Sequence, residues 1–176
     1  VLNQSAEIIE LWENGVLIQN ITCNFVSNSD ISPLCNASSS FPNLALNCLT
    51  NPIGAVEEYI YQSIPLPIGI GTPPVSGWHF TWDDCCRNDA LSNLLAPDTQ
   101  GFTLRASMYP FTDAITGIAI PANPCFDSSP VFNESPKTII CSGYAFAYSH
   151  NASDPELDSI RYYWAEPLDY GFATYD

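Results

Sequence analysis

The segment from Trp78 to Asn88, WHFTWDDCCRN, constrains the fold of this chain more than any other. Aromatic and polar residues alternate in its first half, as they do in a β-strand that buries one face. Two adjacent cysteines, Cys85 and Cys86, follow this alternation. Cα atoms joined by a trans peptide lie about 3.8 Å apart, less than the roughly 4.4–6.8 Å that an ordinary disulfide spans. We therefore expect each cysteine to bond a different partner and to tie the strand to two other parts of the chain.

The cysteine content indicates an oxidising compartment. The seven cysteines include no Cys-x2-Cys pair, which argues against structural zinc and for disulfides. Because the number is odd, at least one thiol is free or paired outside the chain, and the spacing does not reveal the connectivity. The candidates for disulfides are Cys23, Cys35, Cys48, Cys85, Cys86, Cys125 and Cys141.

Composition and charge narrow the classes of partner. Of the 176 residues, 46% are hydrophobic and 13% are charged, so the chain can build a core. Nineteen acidic and four basic residues give a net charge of −15, which repels nucleic acid and anionic membrane surfaces. No apolar run reaches the length of a membrane span, and Val1 does not open a signal region. We expect a mature or internal part of a soluble chain that does not insert into a membrane.

Period-2 alternation predicts an all-β fold. A hairpin is predicted from Glu7 to Phe25, because the pair Asn14-Gly15 readily adopts the positive φ values of a type I′ turn. A long loop from Ser27 to Pro52 contains two cysteines, which would pin it covalently. Together these features predict an antiparallel β-sandwich, immunoglobulin-like in class, with long disulfide-pinned loops. Further strands are predicted at 56–61, 78–83 and 102–108.

A boundary is predicted near Pro121 to Cys125, between a module of residues 1–125 and a second module of residues 126–176. Alternation continues after it, at 144–148 and 160–164. An immunoglobulin-type sandwich needs about 100 residues, roughly twice what remains. We therefore expect the second module to be completed by residues outside this chain, in cis or from another chain.

Three motifs occur in order: GAVEEYIY from Gly54 to Tyr61, the WHFTWDDCCRN segment, and SSPVF from Ser128 to Phe132. In these motifs the chain resembles a module of large Bacteroidetes surface proteins, the gliding-motility-associated adhesin-like proteins of the type IX secretion system. The resemblance covers residues 56–168. Proteins of this kind tend to have a cysteine before the first Trp, where this chain has Ser76 and Gly77, and that loss would account for the odd cysteine count.

The resemblance implies an extracellular location on the cell surface, attached to the outer membrane. It also implies a non-enzymatic role as a structural or adhesive segment of a long surface protein or filament, acting in attachment, gliding or contact with prey. The implied partners are neighbouring domains or copies of the same protein, a polysaccharide, or another cell surface.

The acidic segment that ends the resemblance looks like the start of a cadherin-like domain. Asp154, Glu156 and Asp158 alternate there, as oxygen ligands of calcium often do, and calcium is the one cofactor we predict. The other interpretation is a polar turn between strands. The triplet Asp158-Ser159-Ile160 resembles the short sites at which Bacteroidetes attach O-glycans, which makes Ser159 a candidate for glycosylation.

Aromatic residues offer the alternative function. Trp78 and Trp82 could stack on sugar rings, as in a carbohydrate-binding module, although their shared strand face favours a place in the core. No catalytic residues are predicted. His79 and His150 lie beside no recognisable nucleophile motif, and the adjacent acids at 57 and 58 point to opposite faces of a strand, so they cannot flank one glycosidic bond.

Overall fold

The structure, a computed structural model, describes residues 5–32, 56–68, 71–88, 91–113, 115–120, 128–134, 143 and 145–169. These residues contain β-strands, one short 3-10 turn at Pro97–Thr99 and no α-helix, so the prediction of an all-β chain is confirmed. The strands are β1 (Ala6–Glu13), β2 (Val16–Asp30), β3 (Glu57–Gln62), β4 (Trp78–Asp84), β5 (Phe102–Met108), β6 (Val131–Phe132) and β7 (Ala152–Ser153).

The predicted hairpin is formed by β1 and β2. Its turn residues, Asn14 and Gly15, have φ values of 51° and 76°, and Glu13 pairs with Val16 on either side of them. A β-bulge between Leu11 and Trp12 shifts the register further along. Strand β2 continues to Asp30, beyond the point where the predicted loop begins, so the start of that loop was placed too early.

The main sheet is antiparallel and strongly curled, with strand order β3-β2-β1-β4-β5, and β6 pairs with β7 in a separate two-stranded sheet. The sandwich and its immunoglobulin-like topology stay predictions. By its contacts the chain divides into two units. The first contains Ser5–Asn24, Gln62–Phe126 and Tyr162–Asp176, and the second contains Val1–Gln4, Phe25–Tyr61 and Asp127–Arg161. The predicted module boundary, near Pro121 to Cys125, lies outside the described residues.

The core of the first unit lies on one face of β1, β2 and β4. The register places Leu11 opposite Phe80, and Glu13 opposite Trp78. Leu11 is 0% exposed and Trp78 is 4% exposed. Ile21, on the neighbouring strand, is also buried. Of the aromatic strand face predicted from the alternation, Trp78 therefore packs into this core and Phe80 and Trp82 are half-buried, whereas Thr81 on the opposite face is fully buried.

The two strands predicted near the end of the chain are not found in the described residues. Residues 145–150 and 159–167 form no strand, and nearly all their side chains are exposed. The second unit instead has the short β6–β7 pair, in which Val131 lies opposite Ser153 and Phe132 opposite Ala152.

Candidate functional site

The adjacent cysteines at the end of β4 form a disulfide with each other, so the expectation of two distant partners was wrong. That expectation assumed a trans peptide. The peptide between Cys85 and Cys86 is cis, and their Cα atoms are 3.0 Å apart. Both residues are exposed. The other proposed partners, Cys35, Cys48, Cys125 and Cys141, lie outside the described residues.

The residues after the disulfide are fastened to the start of β5. The backbone N–H of Arg87 donates to the Gln100 carbonyl at 2.9 Å, and its Nε donates to the Gly101 carbonyl at 3.1 Å. The Arg87 guanidinium also lies over the Phe102 ring, 5.6 Å from its centroid. Before the disulfide, a carboxylate oxygen of Asp84 accepts the Cys85 N–H at 2.8 Å. These contacts hold the exposed disulfide in one place at the end of the sheet.

Cys23 is the other described cysteine, and it is bonded to no described cysteine. Its side chain is buried in β2, and this burial raises the pKa of the thiol. A buried thiol with a raised pKa is a poor nucleophile, which fits a packing role for Cys23.

The two tryptophans predicted to contact sugars both donate hydrogen bonds to acids of β1. Trp78 Nε1 donates to Glu13 Oε2 at 2.9 Å, and Trp82 Nε1 donates to Glu7 Oε2 at 3.1 Å. Trp82 also meets the Phe102 ring edge-to-face, with centroids 5.6 Å apart. The burial of Trp78 weighs against stacking on a sugar, and carbohydrate binding at this pair stays a prediction. The sequence analysis did not single out Glu7 and Glu13, although the two-residue alternation of strand β1 places both side chains on the same face.

The two histidines lie in different surroundings. His79 Nδ1 is 2.8 Å from Ser107 Oγ, and its ring meets that of Tyr109 edge-to-face at 6.3 Å. His150 contacts the rings of Tyr148 and Phe132 at 5.0 and 5.3 Å. Both are polar members of ring clusters in this structure.

The acids proposed as calcium ligands make hydrogen bonds within the protein. Asp154 is buried, and its Oδ1 accepts the N–H groups of Glu156 and Asp158, each at 3.0 Å. The Glu156 carboxylate accepts the N–H and the hydroxyl of Ser128 at 3.2 and 2.9 Å. In the part of the chain that the structure describes, no three His, Cys, Asp or Glu side chains form a group that could hold a metal ion. Calcium stays a prediction, as does glycosylation of Ser159, which is exposed.

Four exposed ring side chains of the second unit contact one another in succession, and the sequence analysis did not identify them as a site. The Phe146 and Tyr148 rings are stacked, with centroids 6.1 Å apart and planes 17° apart. Tyr148 contacts His150, and His150 contacts Phe132. We call these four residues the aromatic row. The signal in the sequence was the alternation at 144–148, which predicted a strand.

Comparisons of the chain with known proteins identified no relative. A scan of family models, a search of curated proteins and a search of solved structures each found no match to the chain. Among the described residues, no helix has the length and apolar character needed to cross a membrane.

Proposed function

We propose that this chain is a non-enzymatic structural and adhesive segment of a long secreted protein on a bacterial cell surface. The observation that carries the proposal is the exposed disulfide between Cys85 and Cys86. Disulfides persist in oxidising surroundings outside the cytoplasm and are rare in reducing ones. The resemblance to Bacteroidetes surface modules supports the same location.

Exposed aromatic side chains support the adhesive part of the proposal. Trp164 and Tyr163 are 103% and 79% exposed, and Phe132 in the aromatic row is 63% exposed. Aromatic residues contribute large contact areas when a partner covers them, so each of these exposed side chains can take part in an interaction. A segment that presents such side chains outside the cell is suited to contact with another surface.

The location is tested with antibodies raised against the purified chain. We expect them to label intact cells of the source organism as strongly as permeabilised cells, and we expect protease treatment of intact cells to remove the label. Labelling that requires permeabilisation would contradict the proposal.

Adhesion is tested with beads coated with the purified chain. Coated beads should be retained on source cells or on polysaccharide films in greater number than beads coated with albumin, and equal retention would contradict the adhesive role.

The second candidate function is a carbohydrate-binding module that uses Trp78 and Trp82. The partial exposure of Trp82 favours it, and the burial of Trp78 opposes it.

A further inference from the structure

We propose that the aromatic row of Phe146, Tyr148, His150 and Phe132 binds an uncharged polysaccharide. The inference rests on the proposed adhesive function, for which it names a ligand class and a site. Binding by the purified chain is nevertheless measured independently of where the chain is located.

The geometry of the rings suits a polymer with a repeated apolar surface. Neighbouring centroids along the row are 6.1, 5.0 and 5.3 Å apart, so each ring contacts the next, and the His150 plane is turned 86° from that of Tyr148 and 59° from that of Phe132. Phe146 and Tyr148, 52% and 42% exposed, have nearly parallel planes. The C–H groups of a pyranose ring form an apolar face that packs on an aromatic ring, while its hydroxyls stay in water. Contiguous exposed rings at these spacings can therefore contact neighbouring sugars of one chain.

The end of the row formed by Phe132 and His150 is held in place before any ligand arrives. Pairing of β6 with β7 puts Phe132 beside the residues that follow His150. The side-chain amide of Asn133 donates to the Asn151 carbonyl at 2.7 Å and to Ser153 Oγ at 3.1 Å. The backbone N–H of Asn133 donates to the same carbonyl at 3.2 Å. A site ordered in this way loses less conformational entropy when it binds.

Charge selects against an anionic polymer. Glu134 lies at the row, where its carboxylate accepts a hydrogen bond from the Asn151 amide at 3.4 Å. The chain as a whole has a net charge of −15, so a uronate or sulfated polysaccharide would be repelled. A neutral glycan chain meets no such barrier.

The size of the row opposes a second copy of the chain as the occupant. Phe132, Phe146 and Tyr148 are 42–63% exposed, and at roughly 200 Å² for a whole aromatic side chain they offer about 300 Å². A stable protein–protein interface buries about 800 Å² on each partner, so a second copy would have to cover much surface beyond the row. A polysaccharide chain one sugar wide needs only a narrow strip.

The test is native gel electrophoresis of the full chain in gels that contain hydroxyethylcellulose, mixed-linkage β-glucan, soluble starch or the anionic polymer alginate. At least one neutral polymer should slow the chain, and alginate should not. Phe146→Ala and Tyr148→Ala should each weaken binding by about tenfold, since one stacked ring contributes about that factor. Tyr148→Phe keeps the ring and should retain binding. Tyr163→Ala, which removes an equally large exposed ring outside the row, should bind like the wild type.

Circular dichroism confirms that each variant is folded. The proposal is overturned if no neutral polymer slows the wild-type chain, if alginate alone does so, or if the two alanine variants bind like the wild type. It is also overturned if the chain dimerises in sedimentation experiments and Tyr148→Ala abolishes the dimer, because the row would then bind a second copy. Failure of surface labelling contradicts the proposed location but leaves the binding result unaffected.

Discussion

Removing the disulfide between Cys85 and Cys86 should destabilise the protein only slightly. A disulfide stabilises a protein mainly by restricting its unfolded chain, and the effect grows with the length of the loop that it closes. A 15-residue loop corresponds to about 3 kcal/mol, whereas the same relation for two neighbouring residues gives about 1 kcal/mol. The sequence separation here is 1, and both side chains are exposed, so little packing is lost with them. We expect Cys85→Ala/Cys86→Ala to lower the free energy of unfolding by about 1 kcal/mol or less.

The measurement is urea unfolding, monitored by tryptophan fluorescence. The free energies of unfolding of wild type and variant are compared with a common slope of free energy against urea concentration. Leu11→Ala serves as the reference variant, because truncating this fully buried side chain should lower the free energy of unfolding by about 3 kcal/mol or more. A loss of about 3 kcal/mol in the double cysteine variant would refute the reasoning. It would mean that the two cysteines close long loops with distant partners, as the sequence alone suggested. Peptide mapping without reduction gives a direct check, since one short fragment should contain both linked cysteines.

Three further predictions follow from the described residues. Leu104→Ala makes the same change as Leu11→Ala, but on a side chain that is 60% exposed. It should lower the free energy of unfolding by less than about 1 kcal/mol in the same urea assay. A loss equal to that of Leu11→Ala would contradict the position of the core. Hydrogen bonds from the Thr116 backbone N–H, the Thr116 hydroxyl and the Ile115 N–H, in that order of size, lower the pKa of Asp113 below its ordinary value of 3.8. These bonds should therefore stabilise the turn fully at pH values above 3.8, and the turn should loosen as the pH falls toward the lowered pKa. An NMR titration of the Thr116 amide should show this, and Asp113→Asn should abolish the dependence. If calcium binds at Asp154, Glu156 and Asp158, adding it should raise Tm and a chelator should reverse the rise, whereas Asp158→Asn should remove the effect.

Local signals predicted much of the sheet. The Asn14-Gly15 turn requires positive φ, and few other residue pairs adopt it so readily, so the hairpin could be predicted from two residues. The face of β4 followed from its alternation. The end of β2 could not be predicted in this way, because its Asn and Ser residues favour loops. Pairing with β3 in the sheet overrides that preference, and the side-chain amide of Asn28 also donates to the Glu57 carboxylate.

The disulfide and the aromatic row were harder to predict. The disulfide was missed because the usual trans geometry excludes it. The aromatic row depends on the contact between Phe132 and His150, which are 18 positions apart in the sequence. That contact follows from the pairing of two very short strands, and neither strand has enough residues to show a period.

The bond between neighbouring cysteines also determines how the chain would respond to a pulling force. A disulfide between distant residues shields the intervening segment from tension, and breaking it releases a contour length of about 3.3–3.6 Å per residue. The bond from Cys85 to Cys86 encloses no intervening residue. Tension therefore passes through this point of the backbone whether the bond is intact or reduced. In a single-molecule stretching experiment, breaking this one bond should add no resolvable length, and resistance in the sheet around it should come from the hydrogen bonds between strands.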